Sequence, residues 1–566
     1  MTAPLIDPTD EVTRTLAAAV HLDDEFADQL VEEYLSEPKR AIPPSPGVRA
    51  AAVLAEAAAA QAGRRLTSGL VLMFLVAFTI VSPELALTWL ASALAWRVSS
   101  MIVDWFSRSR DGQIVRLSKA WRRWWVTAVL WNFFDAVLVL GVWLIVLGWH
   151  GLQNSSSGDG DGYGAQPSAR FSAGPFILVA LLVVAIFVTL VTYAILRVVT
   201  AGAVSVGAPS YPPRSPRRVL SWACGPYSQR LQRISEDDAR RMQASVSSEV
   251  VVYRGHNPFV GAGTRVQTLS LALELHAADG AAQDDGVPLF SPAELHDFVS
   301  AAMQSLRTAP TLSPGFRFNG LEIVHWAALS ARHLLRYQEA SSLLEQVMSG
   351  SNPTLLEQDW PTLIDISPEW LRYFRAYRLE GWERQLGVAG FLGIGCDPRT
   401  LYLEWHEYVL PPVAQRHRIP DEPAGLPEIR AVWRGIGDFV LLPVTVPARV
   451  TDLVRALRRG RGGRWRTPEQ MSRILGAESS LRELAAGEEF TTFFESADSD
   501  RYLKIMERRL FDAIHRFLLS KGISTSAFDS IVTQIDNSTV LNNCSVIAGN
   551  VGGHNNAGTV GPGPQQ

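Results

Sequence analysis

Residues 66–200 hold apolar runs too long for the core helices of a water-soluble domain, and the rest of the chain has to be arranged around them. Three blocks stand out: Leu66–Val103, broken at Ser82-Pro83-Glu84 and carrying Arg97 near its end; Val126–Leu147, with one charge; and Phe176–Leu196, with none. A helix rises about 1.5 Å per residue, so about 20 apolar residues cross a hydrocarbon core of about 30 Å. The second and third blocks fit one span each.

The first block divides in two. Pro83 lacks a backbone donor and biases Ser82 away from helix. Arg64-Arg65 precede the block, and Arg97, Arg108, Arg110, Arg116, Lys119, Arg122 and Arg123 lie at or beyond its end, so both flanks carry the Lys/Arg excess of a cytosolic side. An even number of crossings follows, with spans over 66–82 and 85–103; a short re-entrant hairpin is the alternative. Spans over 126–147 and 176–196 complete four, the loop 149–174 lies outside, and Arg197, Arg214, Arg217 and Arg218 mark the return. The expectation is a multi-pass protein of the inner (plasma) membrane with both termini cytoplasmic and the lipid bilayer as its first partner.

Asn132 and Asp135 are three apart in the third span and share a helical face. A carboxylate near mid-bilayer costs roughly 2.5–3.5 kcal/mol. It serves either as hydrogen-bonding glue to hydroxyls such as Thr88, Ser92, Thr189, Thr192 or Tyr193, or as a proton or cation site.

Around the membrane block the chain parses into a helical N-terminal arm (1–65), a basic Pro-rich linker (201–244), an α+β domain (245–425), an amphipathic basic segment (426–467), a helical segment (468–530) and a tail (531–566). In the arm, residues 22–36 and the Ala-rich 47–62 are two helices separated by Pro38, Pro43, Pro44 and Pro46, expected to pack on the cytosolic domain. The domain opens with a strand at Glu249–Tyr253, a Gly-rich connection, and an alternating strand from Arg265 to Leu275, which together predict a hairpin. Residues 292–306 predict a helix, and 371–410 form three runs of an antiparallel meander. The fold class expected is therefore an α-helical membrane domain plus a cytosolic α+β domain with an antiparallel sheet. Leu503, Met506, Leu510, Ile514 and Phe517 make one stripe of a helix over 500–520.

Net charge is -4, which gives no global pull toward nucleic acid, and none is expected as a partner. The three cysteines, Cys224, Cys396 and Cys544, are too far apart for a zinc site or a disulfide framework, and neither a metal nor a cofactor is expected. Gly261-Ala262-Gly263 lacks the third glycine of a dinucleotide fingerprint and has no GK[ST], so turn chemistry accounts for it. The Gly158–Gly164 run has no Glu at the position that closes a calcium loop.

Glu404 and His406 alternate onto one strand face, where Tyr253, Arg254, His256 and Asn257 could meet them in a polar pocket. Residues 427–466 set an apolar helical face beside Arg455, Arg458, Arg459, Arg461, Arg464 and Arg466, the pattern of a helix lying on an anionic membrane surface. From Asn537 to Gln566 no Asp, Glu, Lys or Arg occurs. That composition fits a disordered tail, a small packed β arch, or self-association through 535–561 by β pairing, with a faint resemblance to amyloid-like signalling motifs of immune receptors.

Tyr253-Arg254-Gly255 with Asn257-Pro258-Phe259-Val260-Gly261, Leu401-Tyr402-Leu403-Glu404 before Val409-Leu410-Pro411-Pro412, and the Asn/Gly-rich tail give the chain a resemblance to uncharacterised multi-pass membrane proteins common in high-GC Gram-positive bacteria. The resemblance implies a membrane location and carries over no catalytic residue. The chain is expected to be a membrane-anchored scaffold or signalling receptor of unknown ligand rather than an enzyme. The alternatives are an ion- or small-molecule-handling protein using Asp135, and a membrane-tethered enzyme built on Tyr253, Arg254, His256, Glu404 and His406.

Overall fold

In the computed structural model, which describes residues 11–108, 174–205, 224–243, 247–277, 290–308, 318–418, 427–459 and 468–534, the chain divides into two units. One comprises Met1–Pro38, Arg49–Asp238 and Gln415–Arg466; the other comprises Lys39–Val48, Ala239–Ala414 and Thr467–Gln566.

The first unit is helical. Helix α1 (Glu11–Leu22) is followed by α2 (Asp24–Leu30), which ends in a π turn at Val31–Leu35. Helix α3 (Ala50–Val81) runs unbroken for 32 residues. The Ala-rich stretch expected to be a separate helix is its first half, because alanines propagate a helix once it has started. Ser82 ends α3, and Pro83 opens α4 (Pro83–Arg108) at the one helical position where a missing N–H costs nothing. Helices α5 (Gly174–Val204), α6 (Pro427–Val440) and α7 (Leu442–Arg459) complete the unit, together with most of Ser228–Gln243, a helix inside the stretch expected to be linker. Among the described residues α3 and α5 are long and apolar enough to cross a membrane, and α6 with α7, bent by 90° at their junction, is a third candidate. The third expected span, with Asn132 and Asp135, lies outside the described residues.

Helix α1, which the sequence reading did not pick out, packs on α3 and α5 of its own unit. Two arginines explain the placement. Arg14 donates to the carbonyls of Val204 (3.3 Å) and Ser205 (2.6 Å) at the end of α5, and Arg197 of α5 donates to those of His21 (2.7 Å) and Leu22 (2.9 Å) at the end of α1. Each helix end leaves open carbonyls and partial negative charge, and each receives a cation from the other helix.

The second unit is built on a six-stranded sheet: β1 (Ser247–Tyr253), β2 (Thr264–Glu274), β3 (Glu322–Ser330), β4 (Leu371–Gly381), β5 (Leu386–Cys396) and β6 (Thr400–Leu410), in the order β1-β3-β4-β5-β6-β2. The meander β4-β5-β6 is antiparallel as expected, but β1 pairs parallel to β3, so the sheet is mixed rather than antiparallel. The expected hairpin of β1 with β2 does not form, for those strands occupy opposite edges. One sheet face is covered by the helices Pro292–Gln304 and Phe493–Ser520. Leu503, Met506, Leu510, Ile514 and Phe517 are buried there against Leu401, Leu403 and Trp405 of β6.

Residues 39–48 form a strap on this second unit. Arg40 Nε donates to the Ile474 carbonyl (3.1 Å), Ala41 N to that of Leu475 (3.0 Å), and Ile42 N to Asn352 Oδ1 (2.7 Å). The prolines that read as helix breakers therefore belong to an extended segment held by backbone hydrogen bonds.

Candidate ligand-binding pocket

Because β1 and β2 sit at opposite edges, residues 254–263 must cross the open face of the sheet. Five inter-strand gaps of about 4.8 Å make about 24 Å, and about ten extended residues reach about 33 Å, so ten residues suffice for a direct crossing with its turns. Phe259 and Val260 are buried on that face. The Phe259 ring lies 4.9 Å from Phe374, 4.3 Å from Phe391 and 5.3 Å from Tyr408. Asn257 Oδ1 accepts from Phe259 N (3.0 Å) and from the Tyr408 hydroxyl (3.2 Å), which fixes the turn ahead of it.

The glycines then have a structural occupant. Gly261 N and Gly263 N both donate to Glu483 Oε1, at 2.9 and 2.8 Å, and the other carboxylate oxygen accepts from Ser480 N at 2.6 Å. Both glycines have positive φ, +105° and +95°. The backbone nest that could have cradled a phosphate is filled by the chain's own carboxylate.

Where the connection starts its crossing it leaves a cavity of about 470 Å³, walled by Tyr253, Phe259, Trp370, Phe374 and Tyr408 and rimmed by His256, Asn257, Pro258, Arg265, Ala328, Glu369, Arg372, Glu404 and His406. Five of the six residues expected to form a polar pocket line this cavity: Tyr253, His256, Asn257, Glu404 and His406. Arg254 turns away. Its Nη1 donates to the Arg473 carbonyl (2.9 Å) and it pairs with Glu478 (3.3 Å), so it ties the end of β1 to residues 473–478.

His406 is held on three sides. Its ring stacks 5.1 Å from Phe259, Nδ1 lies 3.2 Å from Thr268 Oγ1, and Nε2 lies 3.5 Å from Glu404 Oε2. That hydrogen bond holds the Glu404 carboxyl below the usual carboxylate range, and burial raises the Tyr253 and Tyr408 phenols. Arg265 and Arg372 project beside the cavity, both exposed, and neither forms a hydrogen bond or ion pair among the described residues. The sequence reading missed Arg372, Phe374 and Tyr408, although the alternation that picked Glu404 and His406 continues to Tyr408 and recurs at Arg372 and Phe374 on β4.

The opposite face carries a separate enclosed network. Arg375 Nε donates to the Tyr373 hydroxyl (2.7 Å), which also meets His325 Nδ1 (2.9 Å), and Arg375 Nη2 pairs with Asp297 (3.2 Å). Burial and the adjacent guanidinium push the His325 imidazole down to about 4. No group of three or more His, Cys, Asp or Glu able to hold a metal exists among the described residues.

Of the basic residues assigned to a membrane surface, Arg455 is exposed on α7, and Arg458 and Arg459 lie on its last turn. Arg461, Arg464, Arg466 and the 535–561 tail lie outside the described residues.

No curated protein and no solved structure matches the chain. A family model for the AbeC-like domain matches residues 268–555, from within β2 through the meander, α6, α7 and the helix Phe493–Ser520 into the tail. The match takes in Arg372, Glu404, His406 and Tyr408, while Tyr253, His256, Asn257 and Arg265 precede it. Since it covers more than half of the sequence, the chain belongs to the AbeC-like domain family.

Proposed function

We propose that the protein is a membrane-anchored receptor whose α+β unit binds a small organic anion with a flat ring, presented to the cytosol by four spans with both termini inside. The observation that carries this is the pairing, in one pocket, of an aromatic floor with two exposed arginines whose side chains form no salt bridge among the described residues, although Arg372 is near enough to Glu404 to favour its carboxylate. Rings that stack on a planar ligand contribute apolar burial and edge or face contacts. A guanidinium left unpaired beside them supplies a charge-assisted hydrogen bond to carboxylate or phosphate. Pockets of this size hold small ligands by this division of labour.

The test is calorimetric titration of the full-length protein in detergent with two probes, adenosine monophosphate and naphthalene carboxylate, and with neutral adenosine. Binding of at least one anion and not of adenosine is expected, weakened about ten- to hundredfold by Arg372→Ala, since one charge-assisted hydrogen bond contributes about 1.5–3 kcal/mol. Equal binding to wild type and variant, or none to either anion, removes the reading.

An enzymatic reading has one observation of its own. His406 stands between the Thr268 hydroxyl and Glu404, the order of a base steered by a carboxylate. It predicts turnover of a bound probe that His406→Gln abolishes while affinity persists; binding without turnover leaves the receptor.

A further inference from the structure

The junction of α6 and α7 lies deep in the apolar unit. Leu442, the first residue of α7, is fully buried among Val71 and Phe78 of α3, Leu85 and Trp89 of α4, and Ile186 and Leu190 of α5. Phe439 lies 4.9 Å from Trp89 and meets Phe187 edge-on at 5.5 Å. Trp89 Nε1 donates to the Val440 carbonyl at 3.2 Å, satisfying an acceptor that the end of α6 leaves open. Gly435 lets α6 close onto α5, where a Cβ would stand 2.9 Å from Val191 Cα.

Depth follows from the helix rise. Phe187, level with the bend, is ten residues before Arg197 in the sequence. At about 1.5 Å per residue this is about 15 Å, half of a hydrocarbon core of about 30 Å. From the bend α7 returns to the level it came from. Arg449 Nη1 donates to Ser68 Oγ (3.3 Å), and Asp452 pairs with Arg64 (3.7 Å) and Arg65 (4.0 Å). Arg64 and Arg197 share Asp24, at 3.4 and 2.8 Å, so the two arginines mark one end of the unit.

We propose that residues 427–459 form a re-entrant hairpin, dipping into the bilayer from the Arg64 and Arg197 side to about its midplane and leaving on the same side, with lipid against the exposed Ile429, Trp433, Val450 and Val454. Asp438 near the bend is also exposed and is within electrostatic reach of Arg449 and Arg434. Broken backbone is tolerated at that depth only when enclosed by protein, and the collar of Leu85, Trp89 and Ile186 encloses it. Arg455 then stands at headgroup level. The hairpin rests on the membrane location proposed above and is independent of the ligand pocket.

The test uses full-length protein in sealed native membranes, with the native cysteines replaced by serine and one introduced as Arg430→Cys, Leu441→Cys or Arg455→Cys. A membrane-impermeant maleimide is expected to label positions 430 and 455 from one and the same side, and position 441 at least tenfold more slowly from either side. A bimane attached at 441 is expected to be quenched by lipids brominated at mid-chain. Labelling of 430 and 455 from opposite sides would show a crossing. Fast labelling at 441, or no quenching there, would show a helix on the surface. Either result overturns the hairpin. Alkaline carbonate extraction separates the two levels, because release of the whole chain into the supernatant removes the membrane location itself.

Discussion

Glu407, buried, and His325, half-buried, lie in the same α+β unit and are shifted in opposite directions. Burial, with Glu507 and Asp500 nearby, pushes the Glu407 carboxyl up to about 7, although Trp405 Nε1 donates to it at 2.9 Å. A carboxylate raised above its unfolded value near 4.3 contributes stability that is complete below that value and lost as pH rises through about 7. His325, held down at about 4, contributes stability that is complete above its unfolded value near 6.5 and lost as pH falls through about 4. Glu407→Gln keeps an acceptor for the indole and removes the charge. Thermal melts at pH 8 are expected to show the variant more stable than wild type, on the order of 2 kcal/mol, with the difference gone at pH 4. An equal difference at both pH values would mean that the carboxylate is not the cause. Glu404 and His406 share the pocket face because period-two alternation is strict on a strand, and Tyr253, His256 and Asn257 join them because the connection after β1 crosses that face. Arg254 escaped because its partners, at Arg473 and Glu478, lie more than two hundred positions away, where no local pattern reaches.

At the level of elements, the meander was legible because short polar and Gly/Asp/Pro turns bound its three runs, and the stripe over 503–517 because that helix has one wet and one dry side. β3 was not. Val324, Trp326, Ala327, Ala328 and Leu329 are all buried, so a central strand with both faces covered shows no alternation to read. Missing it led directly to the false hairpin, since β1 and β2 flank a glycine-rich connection and look paired until β3 takes the place beside β1. The same connection yields a sharp expectation. A Cβ on Gly263 would stand 2.3 Å from the Val409 carbonyl oxygen, at a φ that L residues avoid. Gly263→Ala is expected to cost on the order of 3 kcal/mol, read as a lowered denaturant midpoint, whereas Gly437→Ala, which meets nothing within 4 Å, is expected to be near neutral. Similar midpoints for the two variants would show that the crossing loop is slack.

For the whole molecule, the division into units cuts across the linear order. Segments 39–48, 239–414 and 467–566 make one unit although α3 to α5 intervene between the first and second. Sequence reading placed the boundaries by composition, which marks where apolar runs start but not which distant piece a proline-rich stretch will join. Replacing residues 39–48 with a Gly/Ser linker of equal length is expected to lower the melting temperature of the α+β unit by several degrees and to expose β1 to hydrogen exchange, while the protein stays in the membrane. Unchanged exchange at Val250–Val252 would make the strap dispensable.

The strap also imposes an order on synthesis. Its ten residues leave the ribosome before the first apolar helix, yet their acceptors at Ile474 and Leu475 are translated more than four hundred residues later. At about 5–20 residues per second that is a wait of roughly 20–90 seconds, in which the whole of α3, α4 and α5 is made. The α+β unit can therefore take up its strap only late in synthesis, after every apolar helix has been made, and until then Ala41 N lacks its acceptor.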